Sequence, residues 1–134
     1  MPLLENDVTF AYLNRADPYH EIARRLFYKL KNEELAVEIS SVSLVEMELV
    51  YRSKKIEDRL LRDLAELMVL PSVRYVPLTP GIALLSTYLR QVYNLSFFDS
   101  HYAAAALSLD GKIVSFDRAY EKVPGLVRLD PGAV

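Results

Sequence analysis

No cysteine occurs in this 134-residue chain. That removes disulfides, thiolate nucleophiles and cysteine-ligated zinc together, and it fits the reducing cytoplasm. Glycine is almost as scarce. Gly81, Gly111, Gly125 and Gly132 are all there is, too scattered for a phosphate-cradling loop, a dinucleotide fingerprint or a nucleophile elbow. His20 and His101 are the only histidines, which leaves no His-Glu-x-x-His zinc motif. No apolar run is long enough to span a bilayer, so no membrane role is expected. The opening MPLLENDVTF also lacks the basic stretch and apolar core of a secretory signal. Nor does one sign of charge dominate: 16 Lys and Arg oppose 18 Asp and Glu, a net of -2. A strongly basic balance would point to nucleic acid directly. With this balance, any nucleic-acid ligand would have to be held by local basic patches, a metal or a partner chain.

What remains is ordinary globular material, 51% hydrophobic and 25% charged, without repeats or low-complexity tracts. The length suits one domain over residues 1–134. Pro2 to Leu4 reads as a short buried strand, followed by a helix from Val8 to Leu13. Asp17-Pro18 is a cap-plus-proline signal for a helix carrying Ile22, Ala23, Leu26, Phe27 and Leu30 at helical spacing. A second strand is expected over Leu35 to Ile39. The next helix is capped by Ser41 or Ser43, and an amphipathic helix follows from Ile56 to Met68. Val73 to Val76 is a third strand, and Thr79-Pro80 opens a helix to Tyr93. An alanine-rich helix covers Phe98 to Leu109. Lys112 to Ser115 and Val127 to Leu129 complete the strands. Alternating strands and helices with almost no hairpin signals argue for an α/β fold, a mainly parallel twisted sheet of four to five strands between two helix layers.

In such sheets function gathers beyond the carboxyl ends of the strands, and here that zone is acidic. Glu5 and Asp7 follow the first strand and Asp117 follows the fourth. Glu46 lies in the opening turns of a helix with apolar neighbours, and Asp99 opens the alanine-rich helix. Close-packed carboxylates repel and stay ionised only beside a cation. Oxygen ligands without cysteine select a hard ion, magnesium or manganese. Such an ion acidifies water and steadies displacement at phosphorus. Each acid also has a bland reading. Asp7 and Asp99 are placed to be helix caps and Asp117 to close a turn, whereas Glu46 is hard to leave unpaired among Leu44, Val45, Met47, Leu49 and Val50.

The chain resembles the PIN-domain family, in particular its small prokaryotic VapC-like toxins, over nearly its whole length. The resemblance rests on ENDV (Glu5 to Val8), SSVSLVEMEL (Ser40 to Leu49), FFDSHYAAAAL (Phe97 to Leu107) and VSFDRAYEKVPGL (Val114 to Leu126). It implies that Glu46, Asp99 and Asp117 are metal ligands or metal-supporting acids, and that Ser115 orients Asp117 or a metal-bound water. The first motif departs from the family, which has Asp where Glu5 stands, so either Glu5 or Asp7 takes the first acidic position. The resemblance further implies a magnesium- or manganese-dependent endoribonuclease, a homodimer, and a toxin with a cognate antitoxin.

Among the basic residues, Arg118 beside the acids and the cluster Arg52, Lys54 and Lys55 are candidates for RNA phosphates; solvated helix faces explain most of the others. A Ser100–His101–Asp99 hydrolase relay is the weaker use of His101, which reads better as a satisfied helix residue. Two rival functions stay open: a non-catalytic RNA- or protein-binding module of the same fold, motivated by Glu5, and another magnesium-dependent phosphate hydrolase.

Overall fold

The computed structural model describes residues Met1–Val134. Strands β1 (Leu3–Leu4), β2 (Val37–Ser40), β3 (Val73–Val76), β4 (Lys112–Val114) and β5 (Val127–Leu129) form one sheet. Their order is β3-β2-β1-β4-β5 and every pairing is parallel. The helices are α1 (Asn6–Leu13), α2 (His20–Lys31), α3 (Val42–Ser53), α4 (Leu60–Met68), α5 (Pro80–Tyr93) and α6 (Phe97–Ser108). The expected α/β architecture is present, and the sheet is wholly rather than mainly parallel.

Successive strand residues point to opposite faces, which divides the core in two. Leu3 and Ile113 pack with Ile82, Leu89 and Tyr102 under α5 and α6, while Leu4 and Val114 pack with Val8, Phe27 and Met47 under α1, α2 and α3. Strands covered on both faces read as short apolar runs without alternation. In α6 the run Ala103 to Ala106 is fully buried; such small side chains let the helix lie close against the sheet.

Several helix starts differ from the sequence reading, and the differences matter for the site. The cap of α1 is Glu5, whose Oε1 accepts from the Asp7 amide at 3.2 Å, so Asp7 lies inside the first turn. Asp99 is likewise no cap: Ser96 caps α6 and accepts from the Asp99 amide at 3.3 Å. Asp17-Pro18 forms a turn ahead of α2, closed by the Tyr19 amide on Asp17 Oδ1 at 2.8 Å. Neither Ser41 nor Ser43 caps α3 through its side chain. Ser41 Oγ accepts from the Leu78 amide instead, and Ser40 Oγ accepts from Val42 N. Thr79 caps α5 as read, through Ile82 N.

The topology places β1 between β2 and β4, where the chain's path across the sheet reverses. Connections leaving the two neighbours of β1 diverge there and open a crevice at the carboxyl ends. Gly111, at φ +75, makes the turn from α6 into β4; a Cβ there would stand 2.9 Å from the Gly125 carbonyl. That turn sets where Ser115 emerges.

Candidate functional site

Five of the predicted residues converge on this crevice. Glu5 and Asp7 stand at the end of β1 and the start of α1, and Ser115 one residue past β4. Ser115 Oγ lies 3.2 Å from Glu5 Oε2 and 2.8 Å from Asp7 Oδ2. A hydroxyl carries one proton, so it serves one carboxylate at a time, while its oxygen accepts from the Asp117 amide at 3.0 Å. The Phe116 amide also donates to Asp7 Oδ2, at 2.9 Å. The other oxygen, Asp7 Oδ1, is buried with no hydrogen-bond partner.

Glu46 reaches in from the second turn of α3. Its Oε1 accepts from Tyr102 OH at 2.7 Å and from Asn6 Nδ2 at 3.0 Å, and Asn6 also donates to the Ser43 carbonyl at 2.9 Å. Asp99, on the first turn of α6, has its Oδ1 held by Tyr120 OH at 3.2 Å. Asp117 stands at the exposed rim, where its Oδ1 accepts from Ala119 N at 2.8 Å and caps the turn Arg118–Lys122. The one side-chain bond Asp117 makes is thus to its local turn.

The electrostatics are those of uncompensated negative charge. No Lys, Arg, His or amino terminus pairs with Glu5, Asp7, Glu46 or Asp99; every ion pair in the chain lies elsewhere. Glu5 is only 5% exposed. Its carboxyl is pushed well above the usual range, first by burial, then by repulsion from Asp7, Asp99 and Glu46. Asp7 is raised by burial, with the hydrogen bonds from Ser115 and the Phe116 amide pulling the other way. Burial and the same negative charges raise the Tyr120 and Tyr102 phenols, so both stay protonated as donors.

Only oxygen donors line the cluster, and they are the hard ligands that magnesium and manganese take. The orphaned Asp7 Oδ1 and the absence of a basic counterion fit a divalent cation. No three acidic or histidine side chains stand close enough to hold an ion as they are, so ligation requires side-chain rotation within the cluster.

The basic candidates are not gathered in one place. Arg118 adjoins Asp117 and is exposed. Arg52, Lys54 and Lys55 lie at the far end of α3, where Arg52 Nε is 3.7 Å from Glu57. His101 is buried, with Nδ1 against the Phe97 carbonyl and Nε2 toward Ser86; Ser100 Oγ donates to the Phe97 carbonyl and accepts from Arg90. These bonds leave no Ser100–His101–Asp99 relay.

A family model described as the PIN domain matches residues 5–126. The chain belongs to the PIN-domain family. PIN domains are typically nucleases and generally use a divalent metal. A search of curated protein sequences finds no match. Among solved structures, this PIN domain is similar to VapC20 of Mycobacterium tuberculosis, described as a sarcin-ricin loop cleaving toxin. The TM-score is 0.75 at 17% identity, over 90% of this chain and 93% of that one. FitAcB of Neisseria gonorrhoeae gives 0.73 at 19% identity with both chains fully covered. DNA-bound VapBC of Salmonella typhimurium gives 0.68 at 21%, over 98% and 99%. At these identities the likeness is one of fold.

Three residues of the site escaped the sequence reading: Asn6, Tyr102 and Tyr120. Asn6 directly follows Glu5, and Tyr102 is three places beyond Asp99 on a helix otherwise nearly all small or apolar. A polar group at that spacing shares the face of the acid, which is the signal that could have found it. Tyr120 had no local signal, because its contact with Asp99 spans a crossover between α6 and the loop after β4.

Proposed function

We propose that this PIN domain is a magnesium- or manganese-dependent endoribonuclease that cleaves single-stranded or structured RNA. It would act in the cytoplasm as a toxin bound by a cognate antitoxin. The observation that carries this reading is the set of four carboxylates, Glu5, Asp7, Glu46 and Asp99, joined at the rim by Asp117, with no basic residue of the chain to neutralise them. Glu5 or Asp7, with Glu46, Asp99 and Asp117, would hold the ion. The chemistry such an ion supplies is a more acidic water and stabilisation of charge on the phosphate. Around it, Ser115 orients Glu5 and Asp7, Asn6 and Tyr102 fix Glu46, and Tyr120 fixes Asp99. Arg118 would take phosphate oxygens beside the acids, with Arg52, Lys54 and Lys55 further along α3.

The fold shared with chains crystallised as toxin–antitoxin complexes supports a protein partner. So does the exposed stripe Leu84, Tyr88 and Val92 on α5, whose four-residue spacing is that of a helix seam. A homodimer is part of this proposal.

The deciding experiment is cleavage of a labelled mixed-sequence RNA by wild type and Asp99→Asn, in EDTA, magnesium or manganese. Cutting that needs the metal and falls by at least about a hundredfold in the variant is the expected result, the scale of losing a preorganised charge from such a site. Equal cutting by a cleanly purified variant would refute the role of Asp99. A second reading, a binding module without catalysis, draws on Glu5 in place of Asp and on the lack of any three acids close enough to hold an ion as they stand. It expects RNA or protein binding that persists in EDTA with no cutting under any condition.

A further inference from the structure

Three tyrosines of the chain are exposed, Tyr19, Tyr28 and Tyr88. Only Tyr19 has an aromatic partner: its ring lies 4.4 Å from that of Phe116, 18° from parallel. Phe116 belongs to the acidic crevice through its backbone, since its amide donates to Asp7 Oδ2 and it stands between Ser115 and Asp117. Its ring packs against the core below α1 and α2. Tyr19 is also fixed from its own side. It follows Pro18, and its amide is tied to Asp17 Oδ1. Even so it remains 51% exposed. A ring held flat with one face covered suits a planar ligand on the other. Arg118, two residues beyond Phe116, is exposed and makes no ion pair.

We propose that Tyr19, stacked on Phe116, is a platform for an unpaired nucleobase of single-stranded RNA whose phosphate lies at the carboxylates, with Arg118 holding a neighbouring phosphate. This rests on the RNA-cleaving reading of the same site and adds what that reading lacks, a contact with the base. Every base has a π face, so such stacking is tolerant of sequence. It discriminates by pairing instead, because a base inside a duplex has both faces occupied by its neighbours.

The chain has no tryptophan, so Tyr19→Trp introduces a single reporter at the platform. Its emission should be quenched on rapid mixing with a short single-stranded RNA in magnesium, before cutting proceeds, and much less by a hairpin of the same composition. In parallel, anisotropy of a labelled single strand should show Tyr19→Ala binding roughly tenfold more weakly, with Tyr19→Phe close to wild type, as expected for one stacked base. Tyr19→Leu keeps an apolar roof over Phe116 but offers no π face, so it should resemble Tyr19→Ala in binding while melting like wild type. Binding by Tyr19→Leu equal to wild type, or an unquenched reporter in a protein that binds and cuts RNA, would overturn the platform and leave the nuclease standing. A wild type that neither binds nor cuts single-stranded RNA would remove the RNA reading of the site and the platform with it.

Discussion

Glu5 caps α1 with one carboxylate oxygen and meets Ser115 with the other, deep among like charges. Both caps and ion clusters use ionised carboxylates, yet here burial and then Asp7 and Asp99 hold the Glu5 proton more tightly than in the unfolded chain. The sign of the linkage follows. A raised carboxyl favours folding fully below its unfolded value, and that contribution is lost as pH rises through the raised one. Near neutral pH the ion-free protein is thus destabilised by Glu5. Glu5→Gln, which keeps an oxygen to accept from the Asp7 amide, should melt a few degrees above wild type in EDTA at neutral pH, the shift about 1 kcal/mol produces in a domain of this size. The gap should narrow as the buffer is acidified and wild-type Glu5 takes up its proton. Magnesium or manganese should reverse the order, because an ion that binds only the folded state stabilises wild type by mass action. Scanning fluorimetry across mildly acidic to neutral pH, with and without metal, reads all of this. A variant that melts below wild type in EDTA at neutral pH would mean that Glu5 is comfortably ionised.

Among the elements, α6 has the most to do, since Asp99 projects from its first turn and Tyr102 from its second. Its centre is fixed by burial of Tyr102 and Ala103 to Ala106, whereas its first turn depends on Ser96 accepting from the Asp99 amide. Ser96→Ala should cost about 1 kcal/mol, the usual worth of a cap, read as a lower urea midpoint. Amide exchange should quicken at Asp99 and not at Ala103 to Ala106, and cleavage should fall more than the stability loss explains. Uniform quickening along α6 would place the helix's integrity in the cap instead of its packing. The same helix illustrates what could be read from residues alone. Its alanines and its acid at the start are local features, as are the Thr79-Pro80 start of α5 and the bounds of β3 and β5, and these match the structure to within a residue or two. Strand order and the use of each polar group are not local. Ser41 and Ser43 look like caps until Leu78, brought beside Ser41 across the β2–β3 edge, claims the Ser41 hydroxyl. Asp17-Pro18 looks like a helix start until the Asp17 carboxylate closes a tighter turn on Tyr19. At the site, the acids were legible because their chemistry announces itself. The groups that hold them were not, since Tyr120 and Asp99 meet only once the sheet is assembled.

Across the whole molecule the charge nearly cancels, a net of -2, yet it is unevenly spread. Acids without counterions collect at the strand ends, while exposed bases stand at the rim, in Arg118, and at the far end of α3, in Lys54 and Lys55. RNA approaching such a surface gains no general attraction, so affinity must come from these local contacts and fade with salt. For single strands each phosphate contact contributes about 0.7 to the slope of log affinity against log salt. Arg118 makes no ion pair and directly follows Asp117 at the rim of the acids, so on the proposed reading Arg118→Ala should lower that slope by about 0.7 and slow cleavage as well. Lys54 caps the far end of α3, eight residues beyond Glu46, about 12 Å along the axis. Lys54→Ala with Lys55→Ala should therefore lower the slope by about 1.4 and leave the rate at saturating RNA unchanged. Arg52, already near Glu57, should matter less, since an exposed pair of that kind is weak but competes for the guanidinium. Binding measured in EDTA over a series of salt concentrations, beside saturated cleavage rates in magnesium, separates these roles. If the double lysine variant keeps the wild-type slope, the RNA path does not follow α3, and phosphate contact reduces to the rim around Arg118.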